Sequence, residues 1–243
     1  MQGLIDIHCH LVPGVDDGAK SIHDAALMLK EEYENGVVAI IVTPHFRKGM
    51  FEPSRELVEQ QFRKIWKLTR RSRSGMKVFL GCEYYTSKDM ISDLLNERRP
   101  TMAGSRYVLT EFSSAHSYEV IRNQVYELIG AGFHPIIAHA ERYKCLVKHP
   151  HLISELIDLG AEIQLSADGI LGIQGWKVKH FCWRLLKKYQ VRYIASDMHD
   201  RKDRRCRLKE CSEVLEKKFG ERYVEQLMIK NPMKIITEGR RSR

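Results

Sequence analysis

Apolar runs of strand length alternate with stretches of helical period along the whole chain. Ile5-Asp6-Ile7-His8-Cys9-His10 opens the series. As a strand it sends alternate side chains to opposite faces, with Asp6, His8 and His10 on one and Ile5, Ile7 and Cys9 on the other. Ser21 is the expected N-cap of a helix in which Ile22, Ala25, Ala26, Leu29 and Tyr33 recur at helical spacing until Asn35-Gly36 stops it. Residues 37–43 form a continuous Val/Ile-rich run ending at Pro44-His45, and Pro53 opens a long helix to about Arg73. Residues 76–80 read as a third strand ending at Gly81-Cys82-Glu83; a short helix at 88–96 then precedes a strand at 106–109 that ends at Thr110-Glu111.

The alternation continues to the C-terminal region. A helix at 119–129 leads into a strand at 134–138 ending at His139, and a helix at 150–159 into a strand at 161–165 ending at Ser166. A helix at 176–189 precedes a strand at 191–195 that ends at Ser196-Asp197. Residues 208–238 read as helical, with breaks at Gly220 and Asn231-Pro232. Strand–helix alternation of this kind builds a parallel sheet with helical crossovers. The strand ends, from His8 through His45, Glu83, Glu111, His139 and Ser166 to Asp197, follow one another at steps of roughly 27 to 38 residues, each about one strand-plus-helix unit. No Pro/Gly/Ser-rich linker divides the chain. The expected fold is α/β: a single-domain, irregular (β/α)7 TIM-like barrel over residues 1–243, with a metal cluster at the C-terminal ends of its strands.

Those ends are where a β/α barrel keeps its chemistry. Six of the seven carry His, Asp or Glu. A mouth that gathers so many imidazoles and carboxylates repels itself unless cations fill it. The candidate ligands are His8, His10, Glu83, Glu111, His139, Asp197 and His199, joined by Asp17 and His45. The set is all imidazole nitrogen and carboxylate oxygen, which suits Mn²⁺, Fe, Mg²⁺ or Zn²⁺. Nine ligands exceed one octahedral ion, so two or three ions are implied. Clustered metals acidify a bridging water and clamp the attacking and leaving oxygens of an in-line displacement, the chemistry of phosphate-ester hydrolysis. Arg142 and Arg204 stand on the loops after His139 and His199, and a guanidinium grips phosphate oxygens in bidentate fashion.

Composition narrows the class. The 243 residues carry a net charge of +9, which suits an anionic partner. The charge gathers in Arg70-Arg71-Ser72-Arg73, Arg201-Lys202-Asp203-Arg204-Arg205 and Arg240-Arg241-Ser242-Arg243. No aromatic residues interleave these runs, so no nucleic-acid partner is expected. No apolar run approaches the roughly 20 residues of a membrane span. With no secretion signal and six scattered cysteines, reduced thiols and a cytoplasmic location are expected. No cysteine is followed six residues later by arginine, so a thiolate nucleophile in that loop is unsupported.

The motifs Asp6-Ile7-His8-Cys9-His10, Val15-Asp16-Asp17-Gly18, Thr43-Pro44-His45, the Arg47–Glu52 stretch, Gly81-Cys82-Glu83-Tyr84-Tyr85, Ser105-Arg106-Tyr107 leading to Glu111-Phe112, Ile137-Ala138-His139-Ala140-Glu141-Arg142-Tyr143 and Ala195-Ser196-Asp197-Met198-His199 occur in that order. Together they resemble the polymerase-and-histidinol-phosphatase (PHP) superfamily of metal-dependent phosphoesterases. Within it they are similar to the bacterial tyrosine-protein phosphatases encoded with capsule and exopolysaccharide genes.

The resemblance implies one metal on His8, His10, Glu83 and Asp197, a second on Glu83, Glu111 and His139, and a third on Asp17, His45 and His199. It implies manganese as the usual activator, a metal-bridging hydroxide as nucleophile, and Arg142 and Arg204 as grips on the phosphoryl group. The implied substrate is the phosphotyrosine tail of a tyrosine kinase that controls polysaccharide assembly. Asp6 is expected either to orient an imidazole or to fill the barrel interior. The family's usual Arg-Pro-Pro after the last metal histidine is here Arg204-Arg205-Cys206, which leaves Arg204 and Arg205 as alternatives. Two other functions stay open: a histidinol-phosphate phosphatase or other small phosphoesterase of the superfamily, and a non-catalytic metal-stabilised binding protein.

Overall fold

The computed structural model describes residues 3–72 and 74–241. Arg73, the expected end of the second helix, and Ser242-Arg243 of the basic tail lie outside them. Among the described residues the strands are β1 (Leu4–Cys9), β2 (Val37–Val42), β3 (His45–Phe46), β4 (Lys77–Leu80), β5 (Glu83–Tyr85), β6 (Tyr107–Glu111), β7 (His134–Ile137), β8 (Glu162–Ser166) and β9 (Tyr193–Ala195). Every pairing between them is parallel, in the orders β1-β2-β4 and β3-β5-β6-β7-β8-β9.

Two of the seven expected staves are therefore broken in the middle. The stave of β2 and β3 is interrupted at Thr43-Pro44, where proline has no N–H to give the ladder. The stave of β4 and β5 is interrupted at Gly81-Cys82. There a Cβ on Gly81 would lie 2.9 Å from both Ile41 Cγ2 and Met102 Sδ, so any side chain at this bend would force those two to shift. Backbone bonds still stitch the breaks, from Gly81 N–H to Val42 O (2.8 Å) and from Glu83 N–H to Pro44 O (3.1 Å). The wall closes at its C-terminal rim, where Asp197 N–H reaches His8 O and His10 N–H reaches Met198 O, each at 2.8 Å.

At the opposite end the wall is completed by the last helices. The expected helix 208–238 is four pieces: Leu208–Phe219, Glu221–Glu225, a π-helical turn Gln226–Lys230, and Asn231–Arg241. Asn231-Pro232 falls at the boundary between the last two pieces. Proline occupies the first turn of the final helix, where a missing N–H costs nothing. That helix sends Ile235 and Ile236 into the barrel interior beside Ile5, Ile7, Ile41, Leu109, Ile136 and Tyr193. A second, larger apolar layer lies outside the staves, where Cys9, Leu29, Ile40, Val42 and Leu165 meet the helices. All six cysteines are free thiols.

The first strand corrects the simple alternation. Asp6 pairs with Ile40 and Cys9 with Val42, so three residues of β1 span two of β2 and a bulge lies between them. Ile5 and Ile7 face the interior, and the bulge then turns His8 inward as well. Asp6 does not share a face with His8 and His10. It points outward with Cys9 toward Glu32, neither filling the interior nor orienting an imidazole.

Candidate metal centre

All nine sequence-predicted ligands converge on one basin inside the C-terminal rim. His8 and His10 come from the end of β1, His45 from β3, Glu83 from β5 and Glu111 from the last position of β6. His139, Asp197 and His199 follow β7 and β9, and Asp17 comes from the loop after β1. His8, His10 and Glu83 are fully buried, and His139, Asp197 and His199 are nearly so; Asp17 is the open member of the set, with its side chain 46% exposed.

Glu83 lies at the centre. Its Oε2 is 3.1 Å from His8 Nε2, 3.2 Å from His10 Nε2 and 3.0 Å from His45 Nδ1, and its Oε1 is 2.7 Å from His139 Nε2. Asp197 Oδ1 is 3.4 Å from His8 Nε2 and 3.6 Å from His199 Nδ1. Glu111 lies 3.6 Å from His45 Nδ1 and 3.8 Å from His139 Nε2. Asp17 Oδ1 lies 3.6 Å from His45 Nε2 and 3.5 Å from His199 Nε2. The facing ligand atoms fall into overlapping groups, each within 4.8 Å: His10, Asp17, His45 and His199; His8, His10 and Asp197; His8, Glu83 and His139; and His45, Glu83 and Glu111.

The hydrogen bonds behind the imidazoles fix which nitrogens are free. His8 Nδ1 donates to Gln164 Oε1 (3.1 Å), and His10 Nδ1 to Asp16 Oδ2 (2.9 Å). With each Nδ1 engaged this way, Nε2 is the nitrogen that each ring turns to the basin and that a metal ion would take. Glu83 Oε2, His45 Nδ1, Glu111 Oε2 and His199 Nε2 are buried there without a hydrogen-bond partner among the described residues. Buried polar atoms left without hydrogen bonds are costly, and a bound cation satisfies such a set. The donors fit divalent metal ions, and oxygen with imidazole suits Mn²⁺, Fe²⁺, Mg²⁺ or Zn²⁺.

The electrostatics carry the same stress. Burial alone would raise the Glu83 carboxyl, but His8, His45, His10 and His139 outweigh it and hold it well below the ordinary carboxylate range. Burial likewise works against charging His8, yet Glu83 and Asp197 raise it to about 9. Burial and then Glu83 push Glu111 up to about 7, while burial and Arg142 push His139 down to about 4.

Both predicted arginines reach the basin. Arg142 is ion-paired with Asp197 Oδ2, and Arg204 Nη2 lies 3.0 Å from each Asp197 oxygen. Each keeps about a third of its side chain open to solvent. Arg205 is exposed, so of the two alternatives Arg204 is the one at the site. Backbone strain helps to aim the ligands. His139 (φ 31°) and Asp197 (φ 54°) both adopt the left-handed region, which costs a non-glycine residue on the order of 1–2 kcal/mol.

A family model described as "Capsular polysaccharide synthesis, CpsB/CapC" matches residues 4–237. The chain belongs to this family. The chain is 34% identical over 240 residues to the tyrosine-protein phosphatase CpsB of Streptococcus pneumoniae, covering 97% of this chain and 99% of that one. It is 31% identical to the tyrosine-protein phosphatase YwqE of Bacillus subtilis, covering 89% and 85%. A solved structure from work on YwqE and CpsB, described as unique metal-dependent tyrosine phosphatases, superposes with a TM-score of 0.90 at 29% identity, covering 97% and 95%. The lactonase Lmo2620 of Listeria monocytogenes shares the fold alone, with a TM-score of 0.62 at 13% identity and coverage of 97% and 95%.

Two residues after Arg204 the chain carries a thiol. Cys206 is buried, and its Sγ lies 3.2 Å from Glu32 Oε2 behind the basin. Of the residues that support the ligands, Asp16 and Tyr143 lie within the sequence motifs without a role assigned there, and Gln164 lies outside them. Gln164 Oε1 also accepts the His139 N–H (2.8 Å), and Asp16 also accepts the N–H groups of Gly18 (3.0 Å) and His45 (2.9 Å). The Tyr143 hydroxyl accepts the Phe112 N–H (3.2 Å) and stands 3.3 Å from His139 Nδ1. Gln164 left one signal: it is polar in the middle of a strand whose neighbours Ile163 and Leu165 are apolar.

Proposed function

We propose that the chain is a metal-dependent protein-tyrosine phosphatase, with manganese as its metal and the phosphotyrosines of a polysaccharide-assembly tyrosine kinase as its substrate. The observation that carries the reading is the set of buried ligand atoms, Glu83 Oε2, His45 Nδ1, Glu111 Oε2 and His199 Nε2, that have no hydrogen-bond partner among the described residues, beneath two guanidiniums that share Asp197. The names of the relatives at 30–34% identity supply the tyrosine preference.

His8, His10, Asp17, His45, Glu83, Glu111, His139, Asp197 and His199 would hold two or three ions. Bound cations supply Lewis acidity and acidify a water for attack on phosphorus. The chain's own contribution is positioning. Asp197 holds the Arg142 and Arg204 side chains at the basin, where an arriving phosphoryl group can take up their N–H donors as bidentate partners. Water oxygen bonds to phosphorus as the bond to the tyrosine oxygen breaks, which releases tyrosine and inorganic phosphate. The leaving phenol has a pKa near 10, well below that of an alcohol, so departure calls for less help from a general acid. Around the mouth, Phe51 stacks on His45 (5.4 Å, 9° between planes), and Arg47 covers the Tyr85 ring at 4.3 Å. These aromatic rims suit a phenyl ester.

The test is hydrolysis by metal-stripped protein resupplied with Mn²⁺. Turnover of a phosphotyrosine peptide, absent without metal and absent in His8→Ala and Glu83→Ala, is the expected result. Turnover of histidinol phosphate in place of the peptide would move the reading to a small-molecule phosphatase. Full activity in either variant would remove the metal assignment.

A further inference from the structure

Beside the basin lies a groove of about 1040 Å³ between the helices Lys144–Lys148 and Trp176–Lys187. It begins at Arg142, which is both a wall of the groove and the ion-pair partner of Asp197 in the basin. Its charged lining is one-sided: Arg142, Lys144, Lys148, Lys177 and Arg184 face a single carboxylate, Glu141. That carboxylate is buried and already accepts the Ser166 N–H, so it does not serve the exposed cations. Lys144, Lys148, Lys177 and Arg184 are exposed and form no ion pair with a described residue. At the same wall Trp176 stands 74% exposed, with Lys177 Nζ 5.8 Å from its ring. A large indole left in solvent beside unpaired cations is the composition of a recognition surface rather than of a solvated face.

We propose that this groove docks an acidic stretch of the same polypeptide whose phosphotyrosine enters the basin. The inference rests on the tyrosine-phosphatase reading and adds to it a preference for acidic flanking sequence. Continuity through Arg142 makes the occupant an extension of the substrate, and the sign of the lining makes it anionic. The groove raises the local concentration of such a segment and slows its departure, so its effect falls on binding and not on the bond-breaking step. Trp176 adds an apolar face for side chains between the acidic ones.

The experiment compares three substrates with the Mn²⁺-loaded full chain: free phosphotyrosine, a phosphotyrosine peptide flanked by Glu and Asp, and the same peptide with neutral flanks. The expected KM is lowest for the acidic peptide and rises steeply with salt. In Lys148→Glu/Lys177→Glu, and more weakly in Trp176→Ala, the acidic-peptide KM rises about tenfold while kcat and the turnover of free phosphotyrosine stay at the wild-type level. Equal KM for acidic and neutral peptides, or variants without effect on the acidic peptide, would overturn the groove's role and leave the phosphatase intact. Anisotropy of a labelled acidic peptide separates the two readings. Binding that is lost in the double variant, without turnover of any phosphotyrosine compound, would keep the docking surface and overturn the phosphatase reading; neither binding nor turnover would overturn both.

Discussion

His8 Nε2 and His10 Nε2 face each other at 3.3 Å, with the opposite nitrogen of each ring engaged by Gln164 and Asp16. A metal ion held between them would take both ring nitrogens at once. The bulge in β1 sets what surrounds this contact. Regular alternation would already have put both histidines on one face, but with Asp6 beside them. The bulge brings Ile7 and His8 inward in succession and moves the Asp6 carboxylate to the far side of the strand.

Gln164 is the first residue to change. One oxygen orients the His8 ring and also anchors the His139 backbone, so Gln164→Leu removes both restraints without adding charge. Losing such a support weakens metal binding roughly 10- to 100-fold. Titration of metal-stripped Gln164→Leu with Mn²⁺ should show this weakening, with activity restored at high metal. Unchanged metal affinity would mean that packing alone aims the two imidazoles.

Gly18 has no room for a side chain. A Cβ there would stand 2.1 Å from His10 O and 2.5 Å from His10 Cβ. Gly18→Ala must therefore displace the loop that carries Asp16 and Asp17. The expected variant folds, keeps the ligands on the other strands, and binds less metal per chain than wild type, as read by elemental analysis of the purified protein. A full metal complement would show that the loop can shift without moving Asp17.

Arg142 and Arg204 share Asp197, whereas Arg205 lies on the surface. Removing one preorganised donor to a transition-state oxygen typically costs about 10²–10³ in kcat. Arg142→Ala and Arg204→Ala should each fall in that range on a phosphotyrosine peptide, while Arg205→Ala stays within about twofold of wild type. If Arg204 and Arg205 exchange these effects, the loop is rearranged when substrate binds.

The site was more legible in the sequence than the wall that holds it. His45, Glu83, Glu111, His139 and Asp197 could be placed together because strand-plus-helix repeats bring strand ends to one rim, whatever lies between them. Strand ends at Thr43-Pro44 and Gly81-Cys82 were legible, but not that the strands resume as His45–Phe46 and Glu83–Tyr85, because that depends on how each stave meets its neighbours. The bulge was hidden for a similar reason. Asp6 fits the alternating pattern, and only its pairing with Ile40 shows the slip. The plug formed by Ile235 and Ile236 shows in sequence as an ordinary amphipathic helix; only the open lower end of the barrel gives it a purpose.

Behind the basin, Asp6 and Glu32 are both fully buried and share Ser196 between them. Asp6 accepts the N–H groups of His8 and Ser196 as well as the Ser196 hydroxyl, an arrangement that suits the ionised form. Glu32 has the Cys206 thiol and the Ser196 hydroxyl beside it, and burial followed by the Asp6 charge raises its carboxyl well above the ordinary range. A raised acid favours folding below its unfolded value, near 4.5, and that contribution is lost as pH climbs toward its folded value. Glu32→Gln imitates the protonated acid at every pH. Its melting temperature should therefore exceed that of wild type at pH 8, with the difference narrowing toward pH 4.5. Asp6→Asn, by contrast, gives up a charge that two N–H groups and a hydroxyl hold in place, and should melt lower than wild type at pH 8. Thermal unfolding at both pH values in the metal-stripped protein reads this balance. A Glu32→Gln variant that melts below wild type at pH 8 would place the buried charge on Glu32 instead of Asp6.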